Sequence, residues 1–143
     1  MARVNFLAAA GAAACIGMFS APALAAEIPV QSKPARVEVT ADATIKKVTL
    51  APKAAQRLGV EIDEVRVDPS GRQIVPYACI LYDLKGRTWI YVNTDPMTFV
   101  REAVGIDTIQ GDNVYLKSGP PAGTKVLATG VAQVFGTEVG VGH

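Results

Sequence analysis

The sequence predicts a mainly β protein, a small antiparallel β-barrel or sandwich with one short helix. Short runs of β-branched and aromatic residues recur at nearly regular spacing from residue 45 onward, and Gly, Pro, Asp and Asn separate them. Only the stretch at 52–58 has the composition and flanking residues of a helix. A chain of 143 residues that loses a short leader is long enough for one domain with a modest core.

The first 25 residues are typical of a secretory signal peptide. Arg3 gives a positive start, residues 6–19 are an uncharged apolar run, and small residues precede a cleavage site after Ala25. The run is shorter than the roughly 20 residues of a membrane-spanning helix. Lipidation at Cys15 is the less favoured alternative, because the usual aliphatic residue three places earlier is missing. We therefore expect an exported, periplasmic protein with no direct membrane span after cleavage.

The charge balance excludes whole classes of partner. Without Arg3 the chain holds 13 basic and 13 acidic residues, so its net charge is near zero. A nucleic-acid-binding domain needs a basic patch to replace counterions around phosphates, and attachment to an anionic membrane needs one as well. No nucleic acid is therefore predicted as a partner. Cys79 is the single cysteine after cleavage, and its apolar neighbours predict a buried thiol rather than a disulfide or a nucleophile.

The β-domain is predicted at 45–135. A flexible lead-in precedes it at 26–44, and its first strand lies at 45–50, where apolar and polar residues alternate. A short helix follows, because Pro52 suits the first helical position and Gly59 the residue just past the end.

Alternation resumes, imperfectly, in a strand at 60–67. The turn chemistry of Asp68-Pro69-Ser70-Gly71 separates it from a strand at 72–75. That strand leads directly into a predicted hairpin at 75–92.

The stretch VPYACILYDLKGRTWIYV at 75–92 predicts a hairpin. Asp83-Leu84-Lys85-Gly86 suits a type I turn that ends in a left-handed glycine. If Asp83 pairs with Arg87, both faces of the hairpin are apolar. The two faces then carry Tyr77, Cys79, Leu81, Trp89 and Tyr91 on one side and Ala78, Ile80, Ile90 and Val92 on the other. Such a hairpin either occupies a central position in the fold or reserves one face for a partner.

The rest of the domain is predicted as strands and turns. A strand at 98–106 precedes a second hairpin at 109–116, and the last strand lies at 125–129. Glycines are frequent after Gly130, so a flexible C-terminal tail is predicted at 136–143.

Catalytic and metal-binding patterns are not recognisable. The one histidine, His143, ends the chain, so a nucleophile would have no positioned base. One mature cysteine, that histidine and Met97 do not make a soft-metal site. Aspartates in predicted turns more often cap their own backbone than act as acids or bases. We predict no enzyme, no cofactor and no metal.

Aromatic side chains supply the candidate partner contacts. These are Tyr77, Trp89 and Tyr91 of the hairpin, together with Phe99. Aromatic residues anchor many protein interfaces. The alternative is that they form the core, the more frequent place for aromatics in a chain with so few of them.

Several stretches resemble one protein family. Val75-Pro76-Tyr77-Ala78, the strand at 86–92, Phe99-Val100-Arg101 and the loop at 119–130 occur in this order, after a stretch at 50–60 that is also similar. Together they resemble the C-terminal barrel and membrane-proximal part of periplasmic adaptor subunits of resistance-nodulation-division efflux systems, also called membrane fusion proteins (HlyD-like). The resemblance covers about 47–135 of the chain.

The resemblance implies a non-catalytic periplasmic adaptor-like module associated with an efflux-type transmembrane transport complex. Its implied partners are an inner-membrane transporter or a full-length adaptor, with self-association possible. The lipoyl-like domain and long helical hairpin of a complete adaptor are not recognisable, and the loop departs from the family at Pro120-Pro121 and Thr124. The alternative function is a stand-alone periplasmic small-ligand-binding β-domain, because fold does not determine function.

Overall fold

A computed structural model describes residues 33–141. The predicted signal peptide at 1–25 with Cys15, the first part of the predicted lead-in, and His143 lie outside the described residues. The described strands and helices are β1 Ala35–Val39, β2 Lys46–Leu50, α1 Pro52–Leu58, β3 Glu61–Glu64, β4 Arg66–Val67, β5 Gln73–Pro76, β6 Leu81–Tyr82, β7 Thr88–Asp95, β8 Thr98–Ala103, β9 Gly105–Gln110, β10 Asn113–Ser118, β11 Lys125–Thr129 and α2 Val131–Val139.

The strands form two antiparallel sheets, which confirms the predicted mainly β fold. The larger sheet has the order β1-β2-β8-β7-β11-β3, and β6 pairs with β7 beside this path. The smaller sheet has the order β4-β5-β10-β9. No helix among residues 33–141 has the length and apolar character needed to cross a membrane.

Strand β7 is covered on both faces. Trp89 and Tyr91 pack into a core cluster that includes Ala55 of α1 and Val134 of α2. Ile90, which points the other way, packs into a second cluster with residues of the smaller sheet. The two apolar faces of the predicted hairpin therefore reflect a central strand between a helical layer and a second sheet.

The predicted hairpin has the expected turn but only part of the expected first strand. Asp83 N–H donates to the Arg87 carbonyl at 3.0 Å, and Gly86 has a φ of 74°, a conformation that favours glycine. Tyr77–Cys79 is instead a turn of 3₁₀ helix, closed by Ile80 N–H donating to the Tyr77 carbonyl. This turn places Cys79 in the core between the sheets, so its predicted position beside Trp89 is wrong.

Two segments predicted as flexible contain regular structure. Strand β1 lies inside the predicted lead-in and pairs along its length with β2, from Ala35 opposite Leu50 to Val39 opposite Lys46. This pairing explains why the segment forms a strand, because Val37 lies opposite the fully buried Val48 and Ala35 packs against the core.

Helix α2 occupies the end of the predicted domain and the start of the predicted tail. Its glycines mark its ends, because Gly130 and Gly140 both have positive φ at the two caps. Val131 and Val134 are buried between them, and this burial holds the helix on the sheet. The described residues thus contain two α-helices where the sequence predicted one.

Two predicted strands are divided where the chain passes between the sheets. The strand predicted at 60–67 breaks at the buried Val65, whose N–H donates to the Thr124 carbonyl at 2.9 Å. The strand predicted at 98–106 breaks at the buried Val104, whose N–H donates to the Thr88 carbonyl at 3.0 Å. At Gly105 a Cβ would lie 2.6 Å from Ser118 Oγ, so the second crossing requires a glycine or a shift of that serine.

Candidate functional site

The structure separates the four candidate partner contacts. Trp89, Tyr91 and Phe99 are buried in the core cluster beneath the helices, so the prediction that they contact a partner is wrong. Their burial follows from the register, since β7 and β8 are central strands of the larger sheet. Tyr77 is 47% exposed and is the one candidate on the surface.

Tyr91 belongs to a buried ionic cluster that sequence reasoning missed. Its hydroxyl donates to Glu138 Oε2 at 2.5 Å. Arg101 Nη2 donates to the other carboxylate oxygen of Glu138 at 3.1 Å. Arg101 and Glu138 are only 8% and 2% exposed. The Tyr91–Glu138–Arg101 cluster therefore joins β7, β8 and α2 through charged hydrogen bonds in a site closed to water.

Both charged members of the cluster have further partners. Lys46 N–H donates to Glu138 Oε1 at 3.1 Å, and Arg101 Nη2 also donates to the Thr44 carbonyl at 3.0 Å. The Arg101 guanidinium lies 4.5 Å from the centre of the Trp89 ring, at cation–π distance. Because its three side chains are buried and Tyr91 and Arg101 both bond to Glu138, the cluster is a structural clamp and gives a substrate no access.

The contribution of Tyr91 to the clamp is expected to depend on pH. Burial raises the pKa of Tyr91 above its ordinary value of 10.0, the hydrogen bond and negative charge of Glu138 raise it further, and Arg101 partly opposes them. A tyrosine whose pKa is higher in the folded than in the unfolded protein stabilises the fold fully at pH values below the unfolded-state pKa. This stabilisation is lost progressively as pH rises above about 10. We expect Tyr91→Phe to cost about 1.5–3 kcal/mol near neutrality and less in strong alkali. Urea unfolding at about pH 8 and about pH 11 measures this, and an equal cost at both would contradict it.

The turn aspartates act as caps on their own loops. The Ser70 hydroxyl and the Arg72 backbone N–H donate to Asp68 and lower its pKa to about 2. Burial opposes ionisation of Asp83. Hydrogen bonds from the Arg87 backbone N–H, the Trp89 indole and the Arg87 side chain nevertheless hold its pKa well below the ordinary range. Both carboxylates are thus held ionised in turns, an arrangement that fits capping and not proton transfer.

Cys79 is buried, and the acidic residues of the described part of the chain are not clustered as metal ligands. Burial raises the pKa of Cys79 to about 12, with a smaller contribution from the charge of Asp63, so the nucleophilic thiolate is suppressed. Between residues 33 and 141 no three His, Cys, Asp or Glu side chains are grouped as metal ligands.

A groove beside strand β3 is small and open to solvent. It has a volume of about 390 Å³ and is lined by Ile62, Asp63, Glu64, Asn93 and Lys125. Strand pairing sets Lys125 opposite Glu64, so a basic and an acidic residue face each other along the groove. The groove lacks the enclosed apolar lining of a typical small-molecule site.

Tyr77 is half of an exposed tyrosine pair with Tyr82. Both rings are about half exposed, and Tyr82 lies in β6 where it pairs with Thr88. Burial raises the pKa of Tyr82, and hydrogen bonding and charge from Tyr77 raise it further, which reflects the proximity of the two hydroxyls. Leu84, in the turn that follows β6, is fully exposed. The tyrosine pair is the candidate functional surface.

Comparison of the chain with protein-family models, with curated proteins and with solved structures found no match. The resemblance to periplasmic adaptors therefore stays a prediction drawn from the residues.

Proposed function

We propose that this chain is a non-catalytic periplasmic adaptor-like module that associates with an efflux-type transmembrane transport complex. Its partner is an inner-membrane transporter or a full-length adaptor, contacted through Tyr77 and Tyr82. The observation that carries the proposal is this exposed tyrosine pair, held on a domain whose remaining aromatic cluster is buried.

The tyrosine pair has the properties of an interface anchor. Tyrosine is enriched among the residues that dominate binding energy, since its ring offers a large apolar area and its hydroxyl a hydrogen bond. Both residues have fixed backbones. Tyr77 N–H donates to the Asp112 carbonyl at 2.8 Å, and Tyr82 pairs with Thr88 in the sheet. A pre-ordered aromatic pair loses little conformational entropy on binding, which favours affinity.

Four ionisable groups support a non-catalytic role, because each is bonded to another group of the same chain. Glu138 and Arg101 are bonded to each other inside the core, and Asp68 and Asp83 are bonded within their turns. Acid–base catalysis requires a titratable group that faces a substrate. These four groups face their own protein partners instead.

The alternative function, a stand-alone small-ligand-binding domain, receives less support. A typical ligand site is a concave, mostly apolar pocket that encloses its ligand. The groove beside Ile62 is open and partly charged, and the grooves at Ala35 and at Gln133 are surface features of β1 and α2. The association proposal therefore accounts better for the described surface.

Site-specific photo-crosslinking in producing cells tests the proposal. A photoreactive residue in place of Tyr77 is expected to capture an inner-membrane transporter or a full-length adaptor. The same residue in place of Lys53, an exposed position on α1, is the matched control and is expected to capture neither. Absence of both proteins from the Tyr77 adduct would contradict the proposal.

Substitution of the tyrosine pair supplies an independent test. Tyr77→Ala with Tyr82→Ala is expected to weaken partner binding by about 2 kcal/mol or more, the usual cost of removing an anchor residue. Lys53→Ala is expected to leave binding unchanged. Thermal unfolding of each variant provides the control for folding. A double variant that binds as well as the unchanged protein would show that the surface lies elsewhere.

A further inference from the structure

Strand β1 lies at the open edge of the larger sheet. It pairs with β2 on one side, and its other side has no strand among the described residues. Two of its side chains are exposed valines, Val37 at 40% and Val39 at 68%. An edge strand with exposed apolar residues can pair with a further strand.

The backbone of β1 determines which residues are available for that pairing. Along an antiparallel pair, alternate residues direct their N–H and C=O groups toward the partner strand. Ala51 N–H donates to the Pro34 carbonyl at 2.9 Å, and Thr40 N–H donates to the Ile45 carbonyl at 3.3 Å. Even-numbered residues of this segment therefore face β2. Ala35, Val37 and Val39 present their backbone groups to the open edge.

The charges of β1 are complementary to the same strand running in the opposite direction. Antiparallel pairing of two copies with Val37 opposite Val37 sets Arg36 of each copy opposite Glu38 of the other. It also pairs the outward-facing backbone groups with one another. Moving the two-fold axis by one residue either way shifts the pairing by two residues and sets Arg36 against Arg36 or Glu38 against Glu38, which is unfavourable for directly opposite residues.

The side chains divide by face in a way that supports this register. Val37 lies opposite the buried Val48, so the odd-numbered residues are on the face that carries the helical-side core. Arg36 and Glu38 are on the other face, where Lys47 Nζ lies 3.1 Å from Glu38 Oε2. Pairing about Val37 therefore joins valine to valine on one face and two arginine–glutamate pairs on the other.

We propose that β1 is the interface of a symmetric dimer in which two copies of this chain pair antiparallel about Val37. The contact is isologous, as a two-fold dimer requires, and extends the larger sheet across both copies. It is independent of the transport partner, because the tyrosine pair lies on β6 and the 3₁₀ turn and not on β1.

Charge reversal tests this register directly, by sedimentation of protein purified from the envelope of producing cells. The unchanged protein is expected to dimerise. Arg36→Glu and Glu38→Arg each set like charges opposite one another in both pairs, so each is expected to raise the dimer dissociation constant at least about tenfold. An equimolar mixture of the two variants restores opposite charges and is expected to form heterodimers. This recovery also shows that each variant is folded.

A backbone substitution tests the edge without changing charge. The N–H of Val37 faces away from β2, so Val37→Pro removes a donor needed only in the dimer, as proline does at a free sheet edge. We expect it to abolish dimerisation while thermal unfolding of the monomer stays as before. A protein that is monomeric at high concentration, or dimers undiminished in Arg36→Glu and Val37→Pro, would overturn the proposal. Crosslinking from Tyr77 is expected to survive all these variants, which separates this test from that of the transport partner.

Discussion

Arg101→Met is expected to destabilise the domain by about 3–5 kcal/mol, the usual cost of removing one partner of a buried ion pair. Methionine fills much of the space left by the aliphatic part of arginine. It leaves the Glu138 carboxylate, only 2% exposed, without its guanidinium. The substitution also removes the hydrogen bond to the Thr44 carbonyl and the contact with the Trp89 ring. Equilibrium unfolding in urea, followed by tryptophan fluorescence, measures the loss.

The matched control for Arg101→Met removes both charges. Arg101→Met with Glu138→Leu leaves no unpaired ion in the core, and apolar replacement of a buried pair is often neutral or better. We therefore expect the double variant to be more stable than Arg101→Met alone, with a strongly non-additive double-mutant cycle. A double variant whose loss equals the sum of the single losses would show that the two residues stabilise the fold separately.

Local chemistry made the turns of this fold predictable from sequence. Asp83 and Gly86 specify their turn because the aspartate accepts backbone hydrogen bonds and the glycine adopts a positive φ. Gly111 does the same in the hairpin that joins β9 and β10. Helix α1 follows the same rule, with Pro52 at its start and the left-handed Gly59 at its end. Each signal acts within a few residues.

Long-range packing accounts for what the sequence did not reveal. An apolar strand signals burial but not which neighbour covers each face, so Trp89, Tyr91 and Phe99 were open to both interpretations. Glu138 receives its charge partner from Arg101, 37 residues earlier in the chain. Glu138 lies in a glycine-rich stretch, so without knowledge of this partner the segment is predicted as a flexible tail. The helical spacing of Val131, Val134 and Glu138 was a local sign of α2.

Removal of residues 131–143 is expected to abolish cooperative folding. The truncation takes away Val131 and Val134, which are buried against the larger sheet, and losing a buried aliphatic side chain commonly costs about 2–5 kcal/mol. It also leaves Arg101 without its carboxylate. These losses together approach the total stability of a typical domain, about 5–15 kcal/mol. We expect a chain without a sharp thermal transition and with poorly dispersed amide resonances.

A shorter truncation isolates the contribution of the helix. Removal of only Gly142 and His143 keeps Val141, whose N–H donates to the Gly136 carbonyl at 2.9 Å and closes the end of α2. We expect this chain to unfold within about 0.5 kcal/mol of the full protein, because it keeps the buried side chains and the C-terminal cap of α2. If the chain ending at Gly130 melts as cooperatively as the one ending at Val141, then α2 is dispensable and the segment is a tail after all. If only the longer chain folds, the C-terminal helix completes the core, since it covers the central strands and supplies the carboxylate that Arg101 requires.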